Sequence, residues 1–211
     1  TFKDIYKVLY KSIDLLVDLV FYPESEEDVK KIIEIALKFN VCLIPYGGGT
    51  NVTRALSVPE NEKRTVVSID TRRLSKIEWI NKEDRRVCVE AGITGKNLDE
   101  LLKKEGFMIG HEPDSIELST IGGWIATNAS GMKKNKYGNI EDIVENVHLV
   151  TPRGEINQMK PISRGSIGFK PQNMLFGSEG NLGIITKAIL KIHERPEAQE
   201  YNSVLFKTWS E

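Results

Sequence analysis

The chain has 211 residues, of which 40% are hydrophobic and 28% charged, with 29 Lys and Arg against 30 Asp and Glu for a formal net charge of -1. Such a chain buries roughly 70% of the surface its unfolded form exposes, enough for one large domain or two small packed units without disulfide or metal staples. The near-neutral balance removes the electrostatic grounds for a nucleic-acid partner, and no stretch approaches the roughly 18 uninterrupted apolar residues of a membrane span.

In chain order, Leu19-Val20-Phe21-Tyr22 reads as a strand. Ser25 then stands as an N-cap ahead of Glu26, Glu27 and Asp28, acidic residues suited to the positive end of a helix. Val29, Ile32, Ile33, Ala36 and Leu37 recur at helical spacing and predict a core-facing stripe. Val41 to Ile44 reads as a buried strand running into a glycine loop, and Thr65 to Ile69 as another. This order predicts a small α/β unit with a crossover helix and partly parallel pairing. Ile77 to Ile80 and Arg86 to Ala91, separated by Asn81-Lys82-Glu83-Asp84, predict a hairpin. Leu98, Leu101 and Leu102 mark a short amphipathic helix closed by Gly106. A second hairpin is signalled by His148-Leu149-Val150 and Gly154-Glu155-Ile156, and Ile184 to Ile192 alternates in its latter half, so antiparallel structure dominates this larger part. The fold class is α+β. Lys160 to Gln172, with Pro161, Gly165, Gly168 and Pro171, reads as a long loop.

Cys42 and Cys88 each sit inside an apolar run and read as buried reduced thiols. His111, His148 and His193 fall at no metal spacing, and no metal is predicted. His111 reads as a satisfied structural residue in a loop, with an acid/base role as the alternative; Trp124 reads as core, with stacking on an aromatic cofactor as the alternative. The run Lys133-Lys134-Asn135-Lys136-Tyr137-Gly138 reads as a solvated loop more readily than as a phosphate contact.

Three Gly-rich segments carry chemistry. In Gly47-Gly48-Gly49-Thr50-Asn51, residues without Cβ let backbone N–H groups form a nest for an anion such as a diphosphate. In Ser119-Thr120-Ile121-Gly122-Gly123-Trp124, Ser119 or Thr120 can cap a short helix whose first turn aims N–H groups at negative charge. The third, Gly177-Ser178-Glu179-Gly180-Asn181-Leu182-Gly183-Ile184-Ile185, is a turn running into a strand. Neither G-x-G-x-x-G opening a helix nor G-x-x-x-x-G-K-[ST] occurs, which argues against Rossmann dinucleotide binding and against nucleotide kinase or ATPase chemistry. Glycosylation sequons at Asn51-Val52-Thr53 and Asn128-Ala129-Ser130 lie inside these segments, where a glycan would block a ligand, so an intracellular setting is expected.

Taken in order, Pro-x-Gly-Gly-Gly-Thr from Pro45, Thr120-Ile121-Gly122-Gly123 and Gly177-Ser178-Glu179-Gly180-x-Leu-Gly-Ile-Ile-Thr resemble the FAD-binding domain of the vanillyl-alcohol oxidase or PCMH-type flavoprotein superfamily. Within it, Gly110-His111-Glu112-Pro113-Asp114-Ser115, Gly122-Gly123-Trp124 and the run from Gly131-Met132-Lys133-Lys134-Asn135 to Asp142 are similar to the alkyldihydroxyacetonephosphate synthase family. The resemblance implies a PCMH-type fold, with a small βαβ-type subdomain (about 17–75) on a larger, mainly antiparallel one (76–197). It implies that 198–211 begins a cap domain and that the chain is a piece of a longer enzyme.

The implied cofactor is FAD. Its diphosphate and flavin are expected against Pro45, Tyr46, Gly47, Gly48, Gly49, Thr50 and Asn51, and against Pro113, Asp114, Ser115, Ile116, Glu117, Leu118 and Ser119. Gly122 and Gly123 lie close by in that scheme, and Ala126, Thr127, Asn128 and Ala129, with Glu179, Gly180, Asn181, Leu182, Gly183, Ile184 and Ile185, complete the site. Asn128 stands where the family usually has Arg, and Asn181 where Thr is common. The implied reaction exchanges the acyl group of acyl-dihydroxyacetone phosphate for a long-chain fatty alcohol by way of a covalent adduct at flavin N5. No catalytic residue is assigned, and His111 is at most an active-site neighbour. The family also implies a peroxisome, peripheral membrane contact and a homodimer. Alternatives are an FAD-dependent D-2-hydroxy-acid dehydrogenase of the D-lactate or glycolate type, or a non-catalytic flavin-binding module.

Overall fold

The structure, a computed structural model, describes residues 9–10, 16–157, 166, 168–200 and 202–210. Strands β1 (Leu19–Phe21), β2 (Cys42–Tyr46) and β3 (Val66–Asp70) form a parallel sheet in the order β1-β3-β2, with helix α1 (Glu26–Phe39) as the crossover between β1 and β2. The start of α1 follows its sequence signal. Ser25 accepts the Asp28 N–H at 3.2 Å, and the Asp28 carboxylate accepts the Ser25 N–H at 3.1 Å, a reciprocal capping box. Asn40, with φ 53°, ends the helix in the left-handed conformation. Val29, Ile33 and Ala36 are buried, but Leu37 is 57% exposed, because one further residue turns the helix about 100° away from the buried stripe.

The second sheet runs β4-β5-β9-β7-β8 and is antiparallel throughout: β4 (Ile77–Asn81), β5 (Arg86–Glu90), β7 (Val144–Thr151), β8 (Gly154–Asn157) and β9 (Ile184–Lys191). Both predicted hairpins are present; β7 begins at Val144, four residues before the expected His148, and the other ends shift by about one residue or none. Helices α2 (Gly95–Lys104), α3 (Ile121–Thr127) and the single turn α5 (Ile140–Ile143) contribute Leu98, Leu102, Trp124, Ile125, Ile140 and Ile143 to the large core with this sheet. A smaller core joins Val29 and Ile33 of α1 to Val150 and Ile184 of β7 and β9. The sheet thus has apolar packing on both faces, and seven of the eight residues of β7 are buried.

The short pair β6 (Phe107–Met108) and β10 (His193–Glu194) gave no sequence signal. The basic run expected as a loop winds into one turn, α4 (Lys134–Tyr137), whose Tyr137 ring lies 4.8 Å from that of His193. Cys88 is buried, and burial pushes its thiol up to about 11; Cys42 is only half-buried. Of the long loop expected over 160–172, residues 160–165 and 167 lie outside the described residues.

The two sheet units are also joined by charge. Buried His148 on β7 has Glu26 of α1 2.9 Å from Nδ1 and Glu155 of β8 3.0 Å from Nε2. These three residues bring ligand-type atoms within 4.8 Å of one another, which sequence spacing did not foreshadow. The Lys30 ammonium lies 3.0 Å from each carboxylate and already supplies a cationic partner. Among the described residues no helix is long and apolar enough to cross a membrane.

The capping box supports the helix that docks one unit on the other. Ser25→Ala is expected to cost about 1 kcal/mol, read as a lower urea midpoint with an unchanged slope. An unaltered midpoint would remove the cap from the account of α1.

Candidate functional site

A cleft of about 350 Å³ opens between the two units, within the range of small-molecule sites. Its walls are the loop leaving β2, the turn before α3, α3 itself and the loop entering β9. Pro45, Tyr46, Gly47, Gly48, Gly49, Thr50 and Asn51 all line it. So do Pro113, Asp114, Ser115 and Ser119; Gly122, Gly123, Ala126, Thr127 and Ala129; and Glu179, Gly180, Gly183, Ile184 and Ile185. Sequence reading missed Val52, Thr53, Ala55, Leu56, Thr71 and Ser178 as lining residues, and saw Thr120 only as a cap and Trp124 chiefly as core. The continuation of the glycine loop into Val52-Thr53 was the available signal.

Six expected residues do not line the cleft, and backbone geometry explains why. Ile116 packs against the large core, and its carbonyl accepts the Lys96 N–H at 3.0 Å. Glu117 and Leu118 sit on the outer side of the same turn, with Leu118 62% exposed. Asn128 caps the end of α3 with φ 49°, a left-handed geometry that Asn tolerates, and its side chain is exposed. Asn181 and Leu182 line an adjoining groove with Leu37 and Cys42.

The walls meet where position 48 has no side chain. A Cβ on Gly48 would stand 2.0 Å from the Leu118 carbonyl oxygen, so only glycine lets the loop touch the turn. A third wall is tied in by Glu179, whose carboxylate accepts the Thr53 hydroxyl at 2.7 Å while its N–H reaches the Ala126 carbonyl at 2.8 Å.

The helix was expected to aim its first N–H groups at an anion, and here the structure corrects the sequence reading. Ile121 N–H donates to Ile93 at 3.0 Å, Gly122 N–H to Ala91 at 2.7 Å, and Gly123 N–H to the capping Thr120 hydroxyl at 3.2 Å. The helix binds the protein instead. Among the described residues the N–H groups of Gly48, Gly49, Thr50 and Asn51 have no intramolecular partner. Thr50, Ser115, Thr127 and Ser178, which carry hydroxyls, line the cleft as well. Among the described residues no Lys, Arg or His lines it, and its carboxylates are Asp114 and Glu179.

His111 lies one ring away from the cleft, edge-on to Trp124 with ring centroids 4.9 Å apart. It is 3% exposed, and neither ring nitrogen has a partner, so the reading of a satisfied structural histidine does not hold. Burial alone pushes its pKa down from 6.5 to about 4. The unfolded chain therefore takes up a proton before the folded one does. The neutral imidazole favours the fold above pH 6.5, and this contribution, on the order of 3 kcal/mol, is lost as pH falls through about 4. Urea midpoints taken from about pH 7 down to about pH 4 should fall more steeply for the native chain than for His111→Phe. Parallel slopes would refute a buried neutral imidazole.

Comparison with known proteins identifies the family. The sequence pattern of a family described as an FAD binding domain matches residues 17–160. The chain is 47% identical over 206 residues to alkyldihydroxyacetonephosphate synthase of Caenorhabditis elegans, a match that covers 98% of the chain and 34% of that protein. A solved structure of an alkyldihydroxyacetonephosphate synthase superposes with a TM-score of 0.86 at 40% identity, covering 93% of this chain and 35% of that one. Similarity to the cytochrome-type D-lactate dehydrogenase of Kluyveromyces lactis is lower, 33% over 195 residues, covering 92% of the chain and 33% of that protein. The chain thus spans about a third of the length of the relatives it matches. The cleft itself fits FAD: unpartnered loop N–H groups suit a diphosphate, and walls of Pro45, Pro113, Trp124, Ala126, Ile184 and Ile185 suit flat rings. The fold is the PCMH-type fold, and the chain belongs to the FAD-binding domain family, with FAD as its cofactor.

Proposed function

We propose that the chain is the flavin-holding part of an ether-bond-forming transferase, which exchanges the acyl group of acyl-dihydroxyacetone phosphate for a long-chain fatty alcohol. The observation that carries this reading is 47% identity over nearly the whole chain to a protein of that name, against 33% to the D-lactate dehydrogenase. In the exchange the bond from substrate carbon to ester oxygen breaks, the fatty acid departs with the proton of the alcohol, and a new carbon–oxygen bond forms. Atoms balance without net oxidation. When bound, FAD supplies an electrophilic ring for this chemistry.

The chain's own residues hold and orient. The Gly48–Asn51 N–H groups take the diphosphate, Trp124, Ile184 and Ile185 enclose the rings, and Glu179 fixes the glycine loop through Thr53. General acid–base work needs a group titrating near the working pH within reach of the reacting atoms. Among the described residues the cleft has no imidazole, amine or guanidinium, its acids being Asp114, Glu179 and the Tyr46 phenol, and this proposal assigns proton transfer to none of them. The family resemblance further supports a peroxisomal address, a homodimer and peripheral membrane contact.

The full-length protein supplied with acyl-dihydroxyacetone phosphate and radiolabelled hexadecanol should release fatty acid and incorporate label into an alkali-stable ether. D-Lactate should leave its flavin oxidised. Bleaching of the flavin by D-lactate with no ether formed would transfer the chain to the dehydrogenase reading.

A further inference from the structure

We propose that Trp124 is a positioning residue for the flavin site, holding the turn 115–119 in place through its indole N–H; this rests on the cleft's being the FAD site. Trp124 is 2% exposed, and its Nε1–H donates to the Ser119 hydroxyl at 2.8 Å. Ser119 in turn donates its own proton to the Ser115 carbonyl at 2.8 Å. A hydroxyl has one proton, so accepting from the indole leaves that proton free to close the turn onto Ser115. The order of donation is therefore set: Trp124 to Ser119 to Ser115.

The same turn is held from its other side by α2. Gly95 N–H donates to the Ser119 carbonyl at 3.1 Å, and Lys96 N–H to the Ile116 carbonyl at 3.0 Å. The indole also rests on α2, since a Cβ on Gly95 would stand 2.3 Å from Cζ2 of Trp124. That contact locks the ring's orientation and so the direction of its N–H. Leu118 of this turn carries the carbonyl that the Gly48 backbone touches. The buried indole N–H thus works with the two α2 bonds to set where the turn stands, and through Gly48 where the diphosphate donors of the facing loop stand. Trp124 contributes bulk to the core as well; the positioning role belongs to its N–H.

The test is FAD titration of the purified protein, followed by flavin fluorescence, with native chain, Trp124→Phe, Ser119→Ala and the double variant. Phenylalanine keeps an aromatic ring and removes the donor, while alanine at 119 removes a single oxygen and serves if the first variant does not fold. Each single change should weaken FAD binding about tenfold. The double variant should bind no more weakly than the poorer single, because both changes cut one relay. The bound flavin should lose vibrational fine structure in its visible band in both singles, a sign of a looser site that lowered stability alone would not produce. Urea midpoints of the apoproteins separate that stability loss from binding. Native-like affinity in Trp124→Phe, or losses that multiply in the double variant, would overturn the proposal. A native protein that takes up no FAD would instead overturn the reading of the cleft, and the proposal with it.

Discussion

At Gly48 the backbone of one sheet unit lies directly on the Leu118 carbonyl of the other, and the cleft exists because nothing stands between them. β2 ends at Tyr46, so the chain leaves the parallel sheet straight into this contact. Gly47 makes a similar approach to Thr120, where a Cβ would come 2.4 Å from the hydroxyl oxygen. The third loop is drawn in by Glu179, which bonds both to Thr53 and to the end of α3. Three loops from distant parts of the chain therefore converge by backbone and short polar contacts. The two hydrophobic cores supply most of the stabilisation and hold these loops at the right separation, while the loops define the shape.

The electrostatics follow from the same construction. In a chain with a formal charge of -1, the cleft is lined, among the described residues, by two carboxylates and no cation. At about 4 Å and an effective dielectric near 20, a carboxylate repels a phosphate charge by roughly 4 kcal/mol. A diphosphate held there would have to be met by neutral donors, and the N–H groups of Gly48 to Asn51 are unspent. Glu179 uses its charge on a hydroxyl of the protein, which moors the loop that carries the donors. Near-neutrality and an anionic cofactor are compatible wherever oriented peptides can meet the charge.

What was legible in the sequence was local. The Ser25 cap, the α1 periodicity, both hairpins and the glycine segments each depend on residues within a few positions of one another, and the structure contains them all. What was hidden depends on chain reversal. The meeting of Glu26, His148 and Glu155 follows from docking α1 on β7 and β8. Burial of His111 without a partner follows from the packing of Trp124 against it, and no pattern around Gly110-His111-Glu112 encodes that. Within the turn, Ile116, Glu117 and Leu118 are expected as cofactor contacts from the family resemblance alone. Capture of the Ile116 and Ser119 carbonyls by α2 rotates that stretch away from the cleft.

The glycines of α3 illustrate how a motif can be read correctly and explained wrongly. Gly-Gly after a capping Thr suggests an anion at a helix N-terminus, yet these amides are bonded to Ile93, to Ala91 and to the Thr120 hydroxyl. Gly122 serves another purpose, close approach: a Cβ there would be 3.0 Å from Ala91 Cβ and 3.2 Å from its carbonyl oxygen. A side chain would press the helix off the segment after β5, and the 2.7 Å bond from Gly122 to Ala91 would lengthen. Close docking places Gly123, Ala126 and Thr127 along the cleft and Trp124 against α2. The helix thus shapes the cleft by standing where it does, and the positive end of its dipole is spent on staying there.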